Sequence, residues 1–328
     1  MKRALALLSL ICYSAGRLPA QQAQVSGPVE GLTFDAPTGS FRSVIGFPGS
    51  ATFSGAILGR FDRGFVAPQQ NYGLAFRDGK CAVVTGLGTL NPSDSELSGV
   101  SADLDGVAWS GDGSRGVLFS RAGKWIRTLA GFPGAVAPEA PVDLSFLDGS
   151  LSAIAADASG KRIAIGIAGV SGGVYLITDG GGPVPVMAGQ KPIALAFSSD
   201  GSELYALDSA TLQLTALQLG DFTSYSFSLD GLTDPIAIKP ARDAANRRQL
   251  LVAGRRDNLL RIYDAASRQI VTDVALDFPP SDLGDFGRDS LLLAPRRSGG
   301  DPLWLFTTTP RHAVFFVPAA PAASGEPQ

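Results

Sequence analysis

One hairpin pattern recurs three times in the middle of the chain. It occupies the segments 107–131, 154–180 and 193–219. The turns of these segments hold Asp112-Gly113, Ser159-Gly160 and Asp200-Gly201. Successive turn glycines lie 47 and 41 residues apart. A glycine turn between alternating apolar runs is a strong hairpin signal, because tight turns need a positive φ that glycine adopts freely. The pattern therefore predicts a repeated antiparallel unit.

Fainter copies of the unit flank these three segments. They occupy residues 31–49, 59–87, 236–276 and 281–319. A period in the low forties with three or four strands per unit is typical of propeller blades. Of the 30 acidic residues, 25 are Asp, which favours turns, and few are the helix former Glu. We therefore expect an all-β fold: a β-propeller of seven blades, with six as the alternative, built from three- to four-stranded antiparallel sheets.

The strand "RIAIGIAG" (162–169) shows how such sheets pack. Its isoleucines at 163, 165 and 167 point to one face, and small residues point to the other. A sheet with one wet face would carry polar residues opposite the isoleucines. Because the opposite face is small and apolar, we expect both faces to be covered and a neighbour to approach the small side closely. Blades stacked around an axis meet that requirement.

The stretch "SSDGSELYALDSATLQLTAL" (198–217) resembles the repeat of WD40-like and YVTN-type β-propellers. The matching positions are Ser199, Asp200, Gly201, Leu204 and Tyr205. The sequence departs from the family by having Ser where Pro is common, and it lacks the Gly-His and Trp-Asp dipeptides of WD40 repeats. The resemblance implies a β-propeller fold and leaves the function open.

A propeller must close its ring, often by letting an N-terminal strand complete the last blade. The segments near 28–46 and 312–318 are the candidates for that closure. We therefore expect deletion of residues 21–46 to lower the melting temperature.

The N-terminus "MKRALALLSLICYSAGRLPA" (1–20) has a basic start and a short apolar run. The run is too short to span a bilayer as a helix and is typical of a cleaved secretory signal. We expect a signal peptide over 1–20, a propeller domain over 21–319 and a disordered Pro/Ala-rich tail over 320–328. The expected location is periplasmic or secreted, with no transmembrane segment after cleavage.

The net charge and the scarcity of Cys and His limit the partners and metal sites that the protein can have. Removal of residues 1–20 leaves 24 basic against 30 acidic residues, a balance of about −6 that argues against nucleic acid as a partner. The remaining chain has one cysteine, Cys81, and one histidine, His312. These numbers exclude an internal disulfide and metal sites built from several Cys or His side chains. We expect Cys81 to be a buried apolar residue and His312 to lie in a hairpin turn.

Calcium is the one metal for which the sequence offers ligands, and no other cofactor is expected. Residues 101–112 place Ser101, Asp103, Asp105, Gly106 and Asp112 at positions 1, 3, 5, 6 and 12 of an EF-hand-like loop. The metal candidates are Asp103, Asp105 and Asp112. The alternative interpretation is an ordinary loop leading into a hairpin, since Val107–Trp109 also fits the first strand of a repeat.

Three aspartates form a further candidate binding site. Asp282, Asp285 and Asp289 lie near the start of the last unit, where loops of a propeller line the mouth of the central channel. They are candidates for ligand binding, with ordinary turn aspartates as the alternative.

Arg248 and Arg255 stand at opposite ends of one expected strand, about 23 Å apart at ~3.3 Å per residue. They therefore do not form one anion site.

Two classes of function remain open. The first is a non-catalytic binding or scaffolding module for a protein or glycan in the cell envelope or outside it, acting as a monomer. The alternative is a propeller enzyme of the hydrolase or lactonase type that uses carboxylates at the channel mouth, with or without a metal ion. Fold alone does not choose between them.

Overall fold

The computed structural model describes residues 27–287 and 290–319. Within these residues the chain forms seven antiparallel sheets and one 3₁₀ turn, Ala36–Thr38. Each sheet is one blade of a seven-bladed β-propeller, and each corresponds to one copy of the sequence repeat. The expected signal peptide (1–20) and tail (320–328) lie outside the described residues. No described helix has the length and apolarity needed to cross a membrane.

The strands of the first three blades are bounded as follows. The first blade contains β1 (Val29–Asp35), β2 (Ser40–Ile45) and β3 (Thr52–Gly59). The second contains β4 (Arg63–Val66), β5 (Tyr72–Arg77), β6 (Lys80–Thr85) and β7 (Ser93–Ser101). The third contains β8 (Gly106–Trp109), β9 (Arg115–Ser120), β10 (Trp125–Ala130), β11 (Ala137–Pro138) and β12 (Val142–Asp143). Both β11 and β12 pair with β10, so they form one interrupted outer strand.

The remaining four blades have four strands each. The fourth contains β13 (Ser150–Ala156), β14 (Arg162–Ala168), β15 (Gly173–Thr178) and β16 (Val184–Ala188). The fifth contains β17 (Pro192–Phe197), β18 (Glu203–Asp208), β19 (Gln213–Gln218) and β20 (Ser224–Ser228). The sixth contains β21 (Pro235–Arg242), β22 (Arg248–Gly254), β23 (Leu259–Asp264) and β24 (Ile270–Ala275). The seventh contains β25 (Gly284–Phe286), β26 (Ser290–Ala294), β27 (Leu303–Thr307) and β28 (Ala313–Val317).

The core lies between the sheets. Buried apolar clusters fill all seven interfaces between neighbouring blades, including the interface between the seventh and the first. Strand β14 shows the packing that its alternation predicts: Ile163, Ile165 and Ile167 pack toward the third blade, and Ala164 packs toward the fifth. A Cβ added to Gly166 would lie 3.1 Å from the carbonyl oxygen of Pro192 on the fifth blade, so the small side does allow close approach.

The alternation of strand direction gives the propeller two distinct faces. From the second blade to the seventh, the turn after the first strand and the turn after the third strand lie on one face, which we call the turn face. The opposite face, called the crossover face, carries the turn after the second strand and the loop from each outer strand into the next inner strand. The glycine turns of the repeat, with φ of 73° at Gly113 and 67° at Gly201, belong to the turn face.

The first blade is inverted relative to the other six. The start of β1 lies beside the end of β25, because a Cβ on Gly31 would stand 2.7 Å from the Phe286 ring. Its end lies beside the start of β4, because a Cβ on Gly64 would stand 2.4 Å from the Phe34 ring. Strand β1 therefore runs antiparallel to both neighbouring inner strands and corresponds to the second strand of the other blades. The inner edge of β1 is capped by a side chain, since the amide of Leu32 donates to Oε1 of Gln70.

Ring closure differs from the sequence-based expectation. Among the described residues, the last blade is built from C-terminal strands alone and the first blade from N-terminal strands alone, so the expected exchange of an N-terminal strand is wrong there. The two candidate segments do meet, but they meet as neighbouring sheets packed face to face. Val44 and Phe53 of the first blade share a cluster with Phe315 and Val317 of the seventh.

Candidate functional site

The aspartates predicted at the channel mouth are only partly described. Asp282 lies in the loop leading into β25, Asp285 lies within β25, and Asp289 is outside the described residues. Asp285 pairs with Lys239 of the neighbouring inner strand β21, with 2.7 Å between Oδ2 and Nζ. Asp282 and Asp285 therefore lie close enough to Lys239 for the three charges to interact.

Asp282 is the electrostatically unusual member of this group. Burial raises the pKa of its carboxyl above the ordinary range, and the nearby charge of Asp285 acts in the same direction. The amide of Leu283, 2.7 Å from Oδ1, and the charge of Lys239 oppose this rise in pKa without cancelling it. A carboxyl with a raised pKa is a candidate proton donor or ligand for a polar molecule.

The predicted calcium loop is divided by a strand. Asp103 and Asp105 precede β8 on the crossover face, and Asp112 follows it on the turn face. Asp105 accepts a hydrogen bond from the amide of Arg121 at 2.6 Å. The structure does not bring Asp112 to the other two, and no three described His, Cys, Asp or Glu side chains are grouped as a metal ion requires. Calcium binding at Asp103 and Asp105 stays a prediction.

The carboxylate of Asp112 has a local role. Its Oδ1 accepts hydrogen bonds from the Ser110 hydroxyl at 2.7 Å and from the Ser114 amide at 2.9 Å. Burial opposes ionisation, but these hydrogen bonds outweigh it and lower the pKa of Asp112. The side chain therefore stabilises its own hairpin turn.

The expectations for the rare residues and the arginines are confirmed. Cys81 is fully buried, and burial raises the pKa of its thiol to about 12, so it behaves as an apolar residue. His312 lies in the turn between β27 and β28, and its Nε2 is 3.3 Å from Oε1 of Gln249. Arg248 begins β22 and Arg255 follows its end, on opposite faces of the propeller.

A buried polar network between the fifth and sixth blades was missed by the sequence-based reasoning. At its centre is Glu203, which is 2% exposed. The Glu203 carboxylate accepts hydrogen bonds from Tyr205 at 2.5 Å, Gln218 at 2.5 Å, Arg248 at 2.9 Å and Tyr225 at 3.4 Å. Burial, together with the hydrogen bond and charge of Glu203, raises the pKa of Tyr205.

The repeat itself contains the signal for this network. Glu203 is the first residue of the second strand of its blade, and the equivalent positions hold Arg115, Arg162 and Arg248. The fifth blade thus carries an acid where its neighbours carry a base. Because that acid faces Arg248 of the next blade, the two form a salt bridge across the interface. Aligning the copies would have identified the substitution, but not its partner.

A small pocket opens beside this network on the turn face. Its volume is about 160 Å³. The residues that line it are Ser198, Ser199, Tyr205, Pro240, Ala241, Arg242, Arg248, Gln249 and Ala265. It therefore combines small apolar side chains with two guanidinium groups.

Exposed apolar side chains are concentrated on the same face. Ten large hydrophobic residues among those described are prominently exposed. Seven of them lie on or beside turn-face loops: Val29, Phe47, Leu90, Val184, Phe222, Ile270 and Val271. By contrast, Phe146 and Val170 lie on crossover-face loops, and Phe316 lies on the outer strand β28. The turn face is thus the more apolar of the two.

Comparison with known proteins supports the fold. No family model matches the chain, and none of the curated protein sequences matches it. A solved structure described as a streptogramin B lyase is similar, with a TM-score of 0.55 and 12% identity over 77% of this chain and 81% of that one. The β-propeller domain of Cps50 (Swd1) from Myceliophteria thermophila has a TM-score of 0.56 and 12% identity over 79% and 87%. At this identity the similarity shows the fold alone: the chain is a seven-bladed β-propeller.

Proposed function

We propose that the protein is an exported, non-catalytic binding module that presents its turn face to a protein partner in the cell envelope or outside the cell. The observation that carries the proposal is the concentration of seven exposed hydrophobic side chains on that face. Large exposed apolar surfaces mark interaction sites, and aromatic residues are enriched at interfaces. Phe47 and Phe222, which are 64% and 58% exposed, are the expected aromatic anchors.

The rigidity of the fold supports the same proposal. Every interface between blades is filled by a buried apolar cluster, so the loops of the turn face are held at fixed spacing. A pre-organised surface loses little conformational freedom on binding. The protein would act as a monomer, and N-terminal analysis of the exported form should find Gln21 as its first residue.

A matched pair of double variants tests the turn face. A photo-crosslinking residue at position 222 first identifies the partner in an envelope fraction, and the purified pair is then titrated. Replacing Phe222 and Leu90 by Ser should weaken the Kd by about tenfold or more, since buried interface anchors contribute over 1 kcal/mol each. The control replaces Phe146 and Val170, one aromatic and one aliphatic residue of the crossover face, and should leave the Kd unchanged. Equal losses in both variants, or a crosslink to glycan, would contradict the proposal.

A hydrolase or lactonase that uses the channel carboxylates is the second proposal, and the raised pKa of Asp282 is the observation that favours it. A general acid needs a carboxyl that keeps its proton near working pH. Turnover of ester and lactone probes that disappears in Asp282→Asn, with the melting temperature unchanged, would support an enzyme. Absence of turnover in the native protein would eliminate this class of function for the probes used.

A further inference from the structure

The pocket between the fifth and sixth blades offers the hydrogen-bond donors of two guanidinium groups, Arg242 and Arg248. Glu203 lies behind Arg248, outside the lining, and already accepts four hydrogen bonds, so it has little capacity for another. Arg248 uses its Nη1 for Glu203, and its side chain is 38% exposed. Arg242 is exposed and donates from Nη1 to the carbonyl oxygen of Asn246 at 3.0 Å. Both guanidinium groups keep further N–H groups for a ligand.

The two guanidinium groups that line the pocket favour an anionic group on the ligand. Arg242 and Arg248 contribute two positive charges, and Glu203 behind them contributes one negative charge. Asp200 also lies nearby, but its Oδ1 faces its own turn, where it accepts from Ser198 at 2.6 Å and Ser202 at 2.7 Å. Guanidinium groups bind carboxylates through paired N–H donors. These donors therefore favour a carboxylate as the polar part of a ligand, and it would approach from the turn face.

The rest of the pocket selects an apolar group of limited size. Pro240, Ala241 and Ala265 supply its apolar wall. Its volume is about 160 Å³. A protein cavity of ~150 Å³ holds one benzene ring. A bulky anion would not fit this volume, and a small, highly charged anion would leave the apolar wall uncovered.

We propose that this pocket binds a small monocarboxylate that carries one compact apolar group, about the size of a single ring. The carboxylate lies between Arg242 and Arg248, and the apolar group packs on Pro240, Ala241 and Ala265. The site is formed by two blades at once, because Ser198 and Tyr205 come from the fifth blade and the arginines from the sixth. It does not depend on the protein partner proposed above, although it lies on the same face.

Titration of the full chain with benzoate tests the site, with binding followed by NMR or calorimetry. We expect saturable binding, and at least about tenfold weaker binding of benzamide, the neutral isostere, because the charge-assisted hydrogen bonds are lost. Inorganic phosphate should also bind at least about tenfold more weakly, because it cannot use the apolar wall. Failure of benzoate to saturate the protein, or equal binding of benzamide or phosphate, would overturn the proposal.

Variants locate the binding to this pocket. Arg242→Gln should weaken benzoate binding by about tenfold without changing the melting temperature, because Arg242 is exposed. Arg255→Gln is the matched control: this arginine belongs to the same blade, lies on the opposite face and pairs with Asp234 at 2.9 Å. An Arg242→Gln protein that binds benzoate as tightly as the native chain would refute the site.

Discussion

In the third, fourth and fifth blades, the first hairpin turn is built from one hydroxyl and one carboxylate, in either order. In the third and fifth blades a serine comes first and the aspartate third, as in Ser198 and Asp200. In the fourth blade the order is reversed: Asp157 comes first and Ser159 third, and the two still bond at 3.1 Å. Gly160 keeps its positive φ of 68° in that turn. This exchange explains why a Ser-Gly copy folds like its Asp-Gly neighbours.

Asp157 provides a test at this scale. It is buried and accepts hydrogen bonds from the Lys161 amide at 3.1 Å and from Nε of Arg162 at 2.8 Å. Asp157→Ala should lower the free energy of unfolding by about 2 kcal/mol at pH 7, because buried donors lose a charged acceptor. The control, Asp148→Ala, replaces an exposed aspartate of the loop that precedes β13 and should change the free energy of unfolding by less than about 0.5 kcal/mol.

The loss in Asp157→Ala should depend on pH. Burial opposes ionisation of Asp157, but hydrogen bonds from Arg162 and Ser159 outweigh it and lower the pKa of the carboxyl. A folded-state pKa below the unfolded value of about 3.9 stabilises the protein fully above that value, and the stabilisation is lost as pH falls through the folded pKa. Urea titrations should therefore show native and variant converging below about pH 4. A constant difference down to the acid limit would argue against an ionised Asp157.

At the scale of the element, the first blade departs from the repeat. Its β1 runs opposite to the other inner strands, and Gln70 of the second blade supplies the hydrogen bond that a fourth strand would provide. The end of β1 is joined to the last blade by a buried ion pair. Arg296 donates to Oδ1 of Asp35 at 2.9 Å, and both side chains are almost fully buried. Arg42 also donates to Asp35, at 3.3 Å.

Loss of Arg296 should weaken the junction between the first and last blades. Arg296→Met keeps much of the side-chain volume but leaves Asp35 with fewer partners, so we expect the free energy of unfolding to fall by about 3 kcal/mol. The comparison variant Arg255→Met removes an ion pair whose arginine is 56% exposed, and it should cost less than about 1 kcal/mol. Chemical denaturation measures the free energy of unfolding of both variants. Similar losses of free energy in the two variants would mean that the buried ion pair contributes no more to stability than an exposed one.

At the scale of the whole molecule, the ring has no free blade face among the described residues. Seven clusters fill seven interfaces, and the closing cluster is made by residues from the two ends of the propeller, such as Val44 and Val317. Opening that interface would expose apolar faces on both the seventh and the first blade. Stability of the ring is therefore expected to be shared by all blades.

Deletion of residues 21–46 tests this view of closure. The deletion removes β1 and β2, so we expect the melting temperature to fall by more than about 10 °C or the cooperative transition to be lost. Deletion of residues 320–328, the expected tail, is the control and should change the melting temperature by less than about 2 °C. Scanning calorimetry measures both proteins. An unchanged transition after the first deletion would show that the remaining blades close without the first sheet.

The sequence by itself determined the local units of this protein. A hairpin needs only residues within about ten positions of each other, so the turn glycines and the alternation of Ile163 to Ile167 were sufficient to predict strands, blades and a core with two covered faces. The positions of Cys81, His312 and the two ends of β22 followed from the same local patterns. Asp282 and Asp285 were predicted near the start of the last unit, but the pairing of Asp285 with Lys239 was not predictable, since that lysine belongs to another blade.

Only the tertiary structure decided how the units meet. The direction of the first blade, the pairing of Asp35 with Arg296 across 261 residues, and the meeting of Glu203 with Arg248 across 45 residues join segments that share no local pattern. A repeat fixes the shape of each blade, but side chains from neighbouring blades come into contact only after the sheets have stacked. For that reason the pocket beside Glu203 could not be predicted from the sequence, because it forms only when the blades stack. Each hairpin, in contrast, could be predicted from its own stretch of residues.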